Sequence, residues 1–182
     1  ILDDKYDIVA MYSNITPICQ KEYFMETVSN LKRLYSEIEI VSCGYGKKNV
    51  AALKSVSELT ALACGSEYVS PGENVILDIG GQDTKIIVQR QGKLKEFFVN
   101  DKCAAGCGMF LGNTLNLLKA DFKKIDLRKI KEPQIKLSSV CAVFAQSEIV
   151  GLLADDYPAE QIIQAVIWQI LQQAKVLLTK VN

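Results

Sequence analysis

The sequence predicts a mixed α/β fold. Three short strands are expected at residues 74–79, 84–90 and 94–99, because runs rich in Val, Ile and Phe alternate there with glycine-containing turns. A helical apolar period follows, and it is longest at residues 159–178. With 49% hydrophobic and 23% charged residues, the 182-residue chain has enough apolar material to form a core.

Strands and helices also alternate before this β-meander. A strand is expected at residues 7–12, a helix at 20–36 and a second strand at 38–43. Ser57 is a candidate N-cap for a short helix, and Gly65 is positioned to end it.

Helices are predicted to dominate after the meander. They are expected at residues 103–118, from Ser138-Ser139 to Ala154, and at 159–178, whereas the charged stretch 121–136 reads as a loop or a ragged helix pair. The inward face of the last helix is expected to hold Ile162, Ile163, Val166, Ile167, Ile170, Leu171, Ala174 and Leu178.

Composition excludes several classes of protein. Lys+Arg and Asp+Glu both number 21, so there is no basic excess for a nucleic-acid partner. No apolar run reaches membrane-span length, and a cytoplasmic, reducing compartment is expected. The chain has no histidine, which excludes zinc sites of mixed Cys/His type, and no Cys-x-x-Cys pair, which argues against a zinc ribbon and a thioredoxin-type dithiol. Its six cysteines are Cys19, Cys43, Cys64, Cys103, Cys107 and Cys141.

The segment "DIGGQDTK", residues 78–85, is the first candidate site. An apolar strand ends in Asp78 and is followed by two glycines, which allow the backbone to approach an anion closely. A carboxylate beside such a turn can hold Mg²⁺, and Asp83 and Lys85 add a second acid and a cation. An ordinary hairpin turn is the competing interpretation.

The segment "NDKCAAGCGMF", residues 100–110, is the second candidate site. A helix over 103–118 places Cys103 at a helix N-terminus, where the dipole favours a thiolate. Gly106 and Gly108 are poor helix formers, which indicates that some group approaches the backbone there. Cys107 is a third ligand, a redox neighbour or a small packing residue, and we favour packing.

The segment "SSVCAVFAQSE", residues 138–148, is the third candidate site and places Cys141 at another helix start. Two thiols at two helix N-termini suit an iron–sulfur cluster, which usually takes four thiolates. A two-fold dimer would supply them. Cys19, Cys43 and Cys64 are interpreted as ordinary core or surface thiols.

These three segments, in this order, resemble the activators of 2-hydroxyacyl-CoA dehydratases and the ATPase subunits of benzoyl-CoA reductase. "CGYGKKNV" at 43–50 adds to the resemblance, which covers roughly residues 38–180. It implies the actin/Hsp70/sugar-kinase ATPase fold, with residues 1–73 as the remainder of the first half and 74–182 carrying the second phosphate loop and the cluster helices.

The resemblance also implies a set of site residues and cofactors. It implies a homodimer that shares one 4Fe-4S cluster, held by Cys103 and Cys141 of each subunit, and an ATP/ADP site with Mg²⁺ and Asp78 as the catalytic residue. The residues expected near the nucleotide are Gly80, Gly81, Gln82, Asp83, Lys85, Gly106 and Gly108.

The implied function is ATP-driven electron transfer. A donor such as ferredoxin or flavodoxin reduces the activator, ATP hydrolysis changes the angle between the cluster helices, and the electron passes to the dehydratase or reductase. The family usually has Thr at position 107 and Arg at position 109, where this chain has Cys and Met.

The resemblance further implies that parts of the nucleotide site are missing. The family's Asp-x-Gly-Ser hairpin and Gly-Gly adenosine motif are not found, and the chain begins with Ile1 rather than methionine. We therefore expect an internal piece of a longer ATPase, with weak or no ATPase activity alone. A non-redox scaffold or regulatory module and a sugar or acetate kinase of the same fold are the alternatives.

Overall fold

The computed structural model describes residues 1–100, 107–138 and 141–181. These residues form two compact units, Ile1–Ala61 and Leu62–Asn182. The division of the chain into functional halves at residue 73 stays a prediction, because compactness reports packing rather than membership of a nucleotide site.

The first unit contains one long helix and little sheet. Helix α1 spans Gln20–Leu34, close to its prediction, and strands β1 and β2 are a parallel pair at Val41–Ser42 and Lys54–Ser55. The predicted strand at 7–12 is wrong, since only an isolated bridge between Leu2 and Ile8 forms there. The predicted strand at 38–43 is shortened to β1, because its pairing with β2 covers only two residues.

Helix α2 spans Glu58–Val69 and begins as predicted. The Ser57 hydroxyl accepts the Thr60 N–H at 3.0 Å, which satisfies one of the unpaired donors of the first turn. The predicted end at Gly65 is wrong, since the helix continues for another turn. A single helical glycine costs only about 1 kcal/mol, which the rest of the helix can offset.

The predicted β-meander is confirmed. Strands β3, β4 and β5 span Glu73–Ile79, Thr84–Arg90 and Lys93–Asn100, and they form an antiparallel sheet in that order. Successive residues of a strand face opposite sides, so the full burial of both Ile86 and Ile87 shows that β4 is covered on both faces.

The helical half follows the sheet. Helices α3, α4 and α5 span Gly108–Leu117, Ala142–Ala154 and Ala159–Leu178, and short 3-10 turns occupy Phe122–Lys124 and Leu127–Lys129 within the predicted loop. The three helices share one core cluster, which consists of Phe110, Ala145, Ile149, Ile162, Val166 and Ile170.

Helix α5 has the bounds that its apolar period predicts, but its buried stripe is narrower than expected. Leu171 and Leu178 are 40% and 42% exposed, so their assignment to the inward face is wrong. Leu171 lies one helical step beyond Ile170, at the margin of the stripe. No helix of the described ranges combines the length and apolar character that crossing a membrane requires.

A buried amide ties the sheet to its flanking turns. Gln89 of β4 is fully buried, and its Nε2 donates to the Gly72 carbonyl at 2.9 Å. Its Oε1 accepts the Gly92 N–H at 2.8 Å, in the turn where Gly92 has a φ of 69°. The side chain therefore satisfies backbone groups on two turns at once.

We expect Gln89→Leu to lower the free energy of unfolding by about 1–3 kcal/mol, because it deprives the Gly72 carbonyl and the Gly92 N–H of their side-chain partner. Urea unfolding measures the change. Gln172→Leu, on the exposed face of α5, is the control and should stay within about 0.5 kcal/mol of the wild type. Equal stabilities of the two variants would contradict the assigned role.

Candidate functional site

The candidate phosphate turn, Gly80–Asp83, joins β3 to β4. The Gly80 N–H donates to the Asp83 carbonyl at 2.9 Å, and Asp78 lies opposite Lys85 in the strand register. A Cβ at Gly80 would lie 3.1 Å from the Asp83 carbonyl oxygen, so the tight closure favours glycine at this position. Gly81 and Gln82 lie at the exposed tip of the turn.

Lys85 lies between the two carboxylates of this segment. Its side chain is only 8% exposed, its Nζ makes a direct ion pair with Asp83 Oδ1, and it lies 3.6 Å from Asp78 Oδ2. Asp78 is the more accessible acid, since its side chain is 29% exposed and that of Asp83 is 14% exposed. The three groups together carry a net charge of −1 when all are ionised.

Helix α3 begins against the same turn. The Gly108 N–H donates to the Gly80 carbonyl at 2.8 Å, and the Met109 N–H donates to the Gly81 carbonyl at 2.9 Å. A Cβ at Gly108 would lie 3.1 Å from the Gly80 carbonyl oxygen. The close approach that the glycines predict is therefore present at Gly108, and the group that approaches is the turn's own carbonyl.

The predicted start of this helix is wrong. The helix begins at Gly108 rather than at residue 103, and Cys107 is its N-cap. The docking of the Gly108 and Met109 N–H groups onto the turn explains this start, because those groups need acceptors outside the helix. Cys107 is 1% exposed, which agrees with a packing role.

Cys141 is the N-cap of α4 and is exposed. Val143 and Phe144, two and three residues after it, are 71% and 68% exposed. Glu148, later in the same helix, accepts the Ser138 N–H with its two carboxylate oxygens at 2.9 and 3.1 Å. The sequence pattern does not predict this contact, although Glu148 is the last residue of the segment 138–148.

Two predicted site residues, Cys103 and Gly106, lie outside the described residues. Within the described ranges no three cysteine or carboxylate side chains come together as a metal site. The exposed thiol of Cys141 fits one ligand of an iron–sulfur cluster, whereas Cys103, the other expected ligand of this chain, lies outside the described residues. The open space around Gly81 and the accessible Asp78 fit a phosphate with Mg²⁺.

Comparison with known proteins gives consistent matches. The sequence model of the BadF/BadG/BcrA/BcrD ATPase family matches residues 15–182. An uncharacterized protein of Methanocaldococcus jannaschii is 37% identical over 176 residues, which are 95% of this chain and 72% of that protein. The 2-hydroxyisocaproyl-CoA dehydratase activator of Clostridioides difficile is 32% identical over 147 residues, which are 79% of this chain.

A solved structure of the activator of the 2-hydroxyisocaproyl-CoA dehydratase from Clostridium difficile, with bound ADPNP, superimposes with a TM-score of 0.77 at 28% identity. The match covers 100% of this chain and 70% of that one. The chain spans 55% of the length of the curated activator that it matches. These matches confirm the predicted resemblance and the predicted ATPase fold.

The docking of α3 on the turn predicts opposite effects for two glycines of one helix. Gly108→Ala should lower the free energy of unfolding by about 1–3 kcal/mol, because its Cβ would press on the Gly80 carbonyl. Gly112→Ala should raise it by about 0.5–1 kcal/mol, since no atom of a neighbouring element among the described residues lies within 4 Å of that Cβ and alanine favours helix. Thermal unfolding of both variants measures this, and stabilisation by Gly108→Ala would contradict the close contact.

Proposed function

Since the chain belongs to the BadF/BadG/BcrA/BcrD ATPase family, we propose that it carries the second phosphate loop and the cluster helices of an ATP-dependent electron-transfer activator. The electron acceptor proposed is a 2-hydroxyacyl-CoA dehydratase or a benzoyl-CoA-type reductase. The named activator among its relatives supports this assignment. The donor proposed is a ferredoxin or a flavodoxin.

The observation that carries the proposal is the contact between the turn and the start of α3. The Gly108 and Met109 N–H groups hold two carbonyls of the turn, so the turn is fixed with Gly81 and Gln82 exposed at its tip. Backbone N–H groups at such a tip are suitable donors to a phosphate, and a glycine leaves room for close approach.

Asp78 is the proposed Mg²⁺-facing and catalytic carboxylate. It is the more exposed acid of the turn, and Mg²⁺ is commonly held by one or two carboxylates together with substrate phosphates and water. Through bound water, Asp78 would position the ion on the nucleotide phosphates. Asp83 lies in a more buried position and contributes to the backbone geometry of the turn.

Cys141 is a proposed ligand of a 4Fe-4S cluster, together with Cys103 and the same residues of a second copy in a homodimer. When bound, such a cluster supplies a one-electron redox centre. Cys141 presents an exposed thiol at the start of α4, where the positive end of the helix favours bound negative charge. The apolar side chains of Val143 and Phe144 would limit the access of water around the thiol.

Titration with ADP and Mg²⁺, followed by the amide NMR signals, tests the nucleotide site. We expect the Gly81 and Gln82 signals to shift with millimolar affinity, and Asp78→Asn to remove the Mg²⁺ dependence of that shift. Asp155→Asn, an exposed residue at the end of α4, is the control and should behave as the wild type. Shifts that avoid the turn would overturn its assignment.

Anaerobic reconstitution with iron and sulfide tests the cluster. One cluster shared by two copies corresponds to about two iron atoms per chain. Cys103→Ser and Cys141→Ser should each lose the cluster, whereas Cys107→Ser, at a buried position, and Cys43→Ser, at an exposed one, should retain it. A Cys141→Ser protein with a full iron content refutes the ligand assignment. A dimer without iron would favour the scaffold alternative.

A further inference from the structure

We propose that Lys85 is a positioning residue, which neutralises Asp83 and thereby leaves Asp78 as the acid that receives Mg²⁺. This inference rests on the proposed nucleotide site. It differs from the sequence-based expectation that Lys85 itself contacts the nucleotide, and the geometry of its ammonium group points to the new role.

Lys85 is a buried residue. Its side chain is 8% exposed and forms the ion pair with Asp83, whereas Gly81 and Gln82 at the tip of the turn are exposed. An ammonium group presented to a phosphate has to face the ligand, whereas this one faces the carboxylates of its own turn. Lys85 therefore acts on the ligand through the acids.

Lys85 makes unequal contacts with the two acids. Lys85 pairs directly with Asp83 but lies 3.6 Å from Asp78, which is also about twice as exposed at 29% against 14%. An incoming cation consequently has to displace a weaker ion pair with Lys85 at Asp78 than at Asp83. The two carboxylates are separated into a structural one and a metal-facing one by a single lysine.

Backbone hydrogen bonds connect the Asp83 end of the Asp83–Lys85 pair to α3. The Asp83 carbonyl accepts the Gly80 N–H at 2.9 Å, and the Gly80 carbonyl accepts the Gly108 N–H at 2.8 Å. A fixed Asp83 therefore helps to keep the turn closed against α3. Without Lys85 the turn would carry a charge of −2 rather than −1, which repels a nucleotide phosphate.

A double-mutant cycle between positions 83 and 85 tests the role. The readout is the initial slope of the Gly81 and Gln82 amide shifts against added ADP with Mg²⁺, which remains measurable for weak binding. We expect Lys85→Met to reduce the slope about tenfold, a cost of about 1.4 kcal/mol. Lys85→Arg should retain most of the slope, because the guanidinium group can keep the pair with Asp83.

The decisive variant is Lys85→Met combined with Asp83→Asn. If Lys85 works by neutralising Asp83, removal of both charges returns the slope to within about threefold of the wild type, which corresponds to less than 1 kcal/mol. If Lys85 contacts the phosphate directly, the double variant stays as weak as Lys85→Met, and the proposal is overturned.

A second comparison uses Asp83→Asn with and without Lys85→Met, so it does not require the Lys85→Met single variant to fold. In Asp83→Asn alone, the contact between Lys85 and Asp78 remains and should compete with Mg²⁺ for that acid, so adding Lys85→Met should increase the Mg²⁺ dependence of the slope. A further decrease on adding Lys85→Met would again overturn the positioning role.

Urea unfolding separates this proposal from the proposed function. A wild-type chain with no response to ADP would refute the nucleotide site, yet the coupling between Asp83 and Lys85 can still be measured. The double variant should then unfold at a higher urea concentration than Asp83→Asn, which removes the direct ion pair between Lys85 and Asp83. A lower or equal midpoint would overturn the pairing.

Discussion

Two backbone hydrogen bonds, from the first N–H groups of α3 to the carbonyls of Gly80 and Gly81, determine the arrangement of the candidate site. A helix start leaves several N–H groups without intrahelical acceptors, and here the turn supplies two of those acceptors. The contact favours a glycine at 108, because a side chain there would press on the Gly80 carbonyl. The turn is thereby oriented with Gly81 and Gln82 outward.

The arrangement of charges around the turn also depends on its closure. Strand register places Asp78 opposite Lys85, and the closed turn brings Asp83 to the same ammonium group. A buried lysine is stable only when it is paired, so Lys85 and the two acids form one interdependent group. Surface accessibility, rather than residue type, then distinguishes Asp78 from Asp83.

Sequence patterns predicted the elements whose own periodicity is strong, and missed features that depend on partners. The meander and α5 were predicted well, because alternation and a long apolar stripe are local properties. The strand at 7–12 failed because a strand needs a neighbour to pair with, which local sequence does not specify. The start of α3 failed for a related reason: the docking of its N–H groups onto a turn nearly thirty residues away sets it. The burial of the Lys85 side chain, on which its proposed role rests, is likewise a property that local sequence does not specify.

The described contacts form a continuous connection from the turn to Cys141. Helix α3 is hydrogen-bonded to the turn through Gly108 and Met109, and its next residue, Phe110, belongs to the core cluster that includes Ala145 and Ile149 of α4. Cys141 is the N-cap of that helix, and its carbonyl accepts the Ala145 N–H at 2.9 Å. Close-packed interiors resist continuous deformation. A displacement of the turn must therefore be absorbed either in the hydrogen bonds to α3 or in the packing of α3 on α4, and the second route changes the position of the helix that presents the thiol.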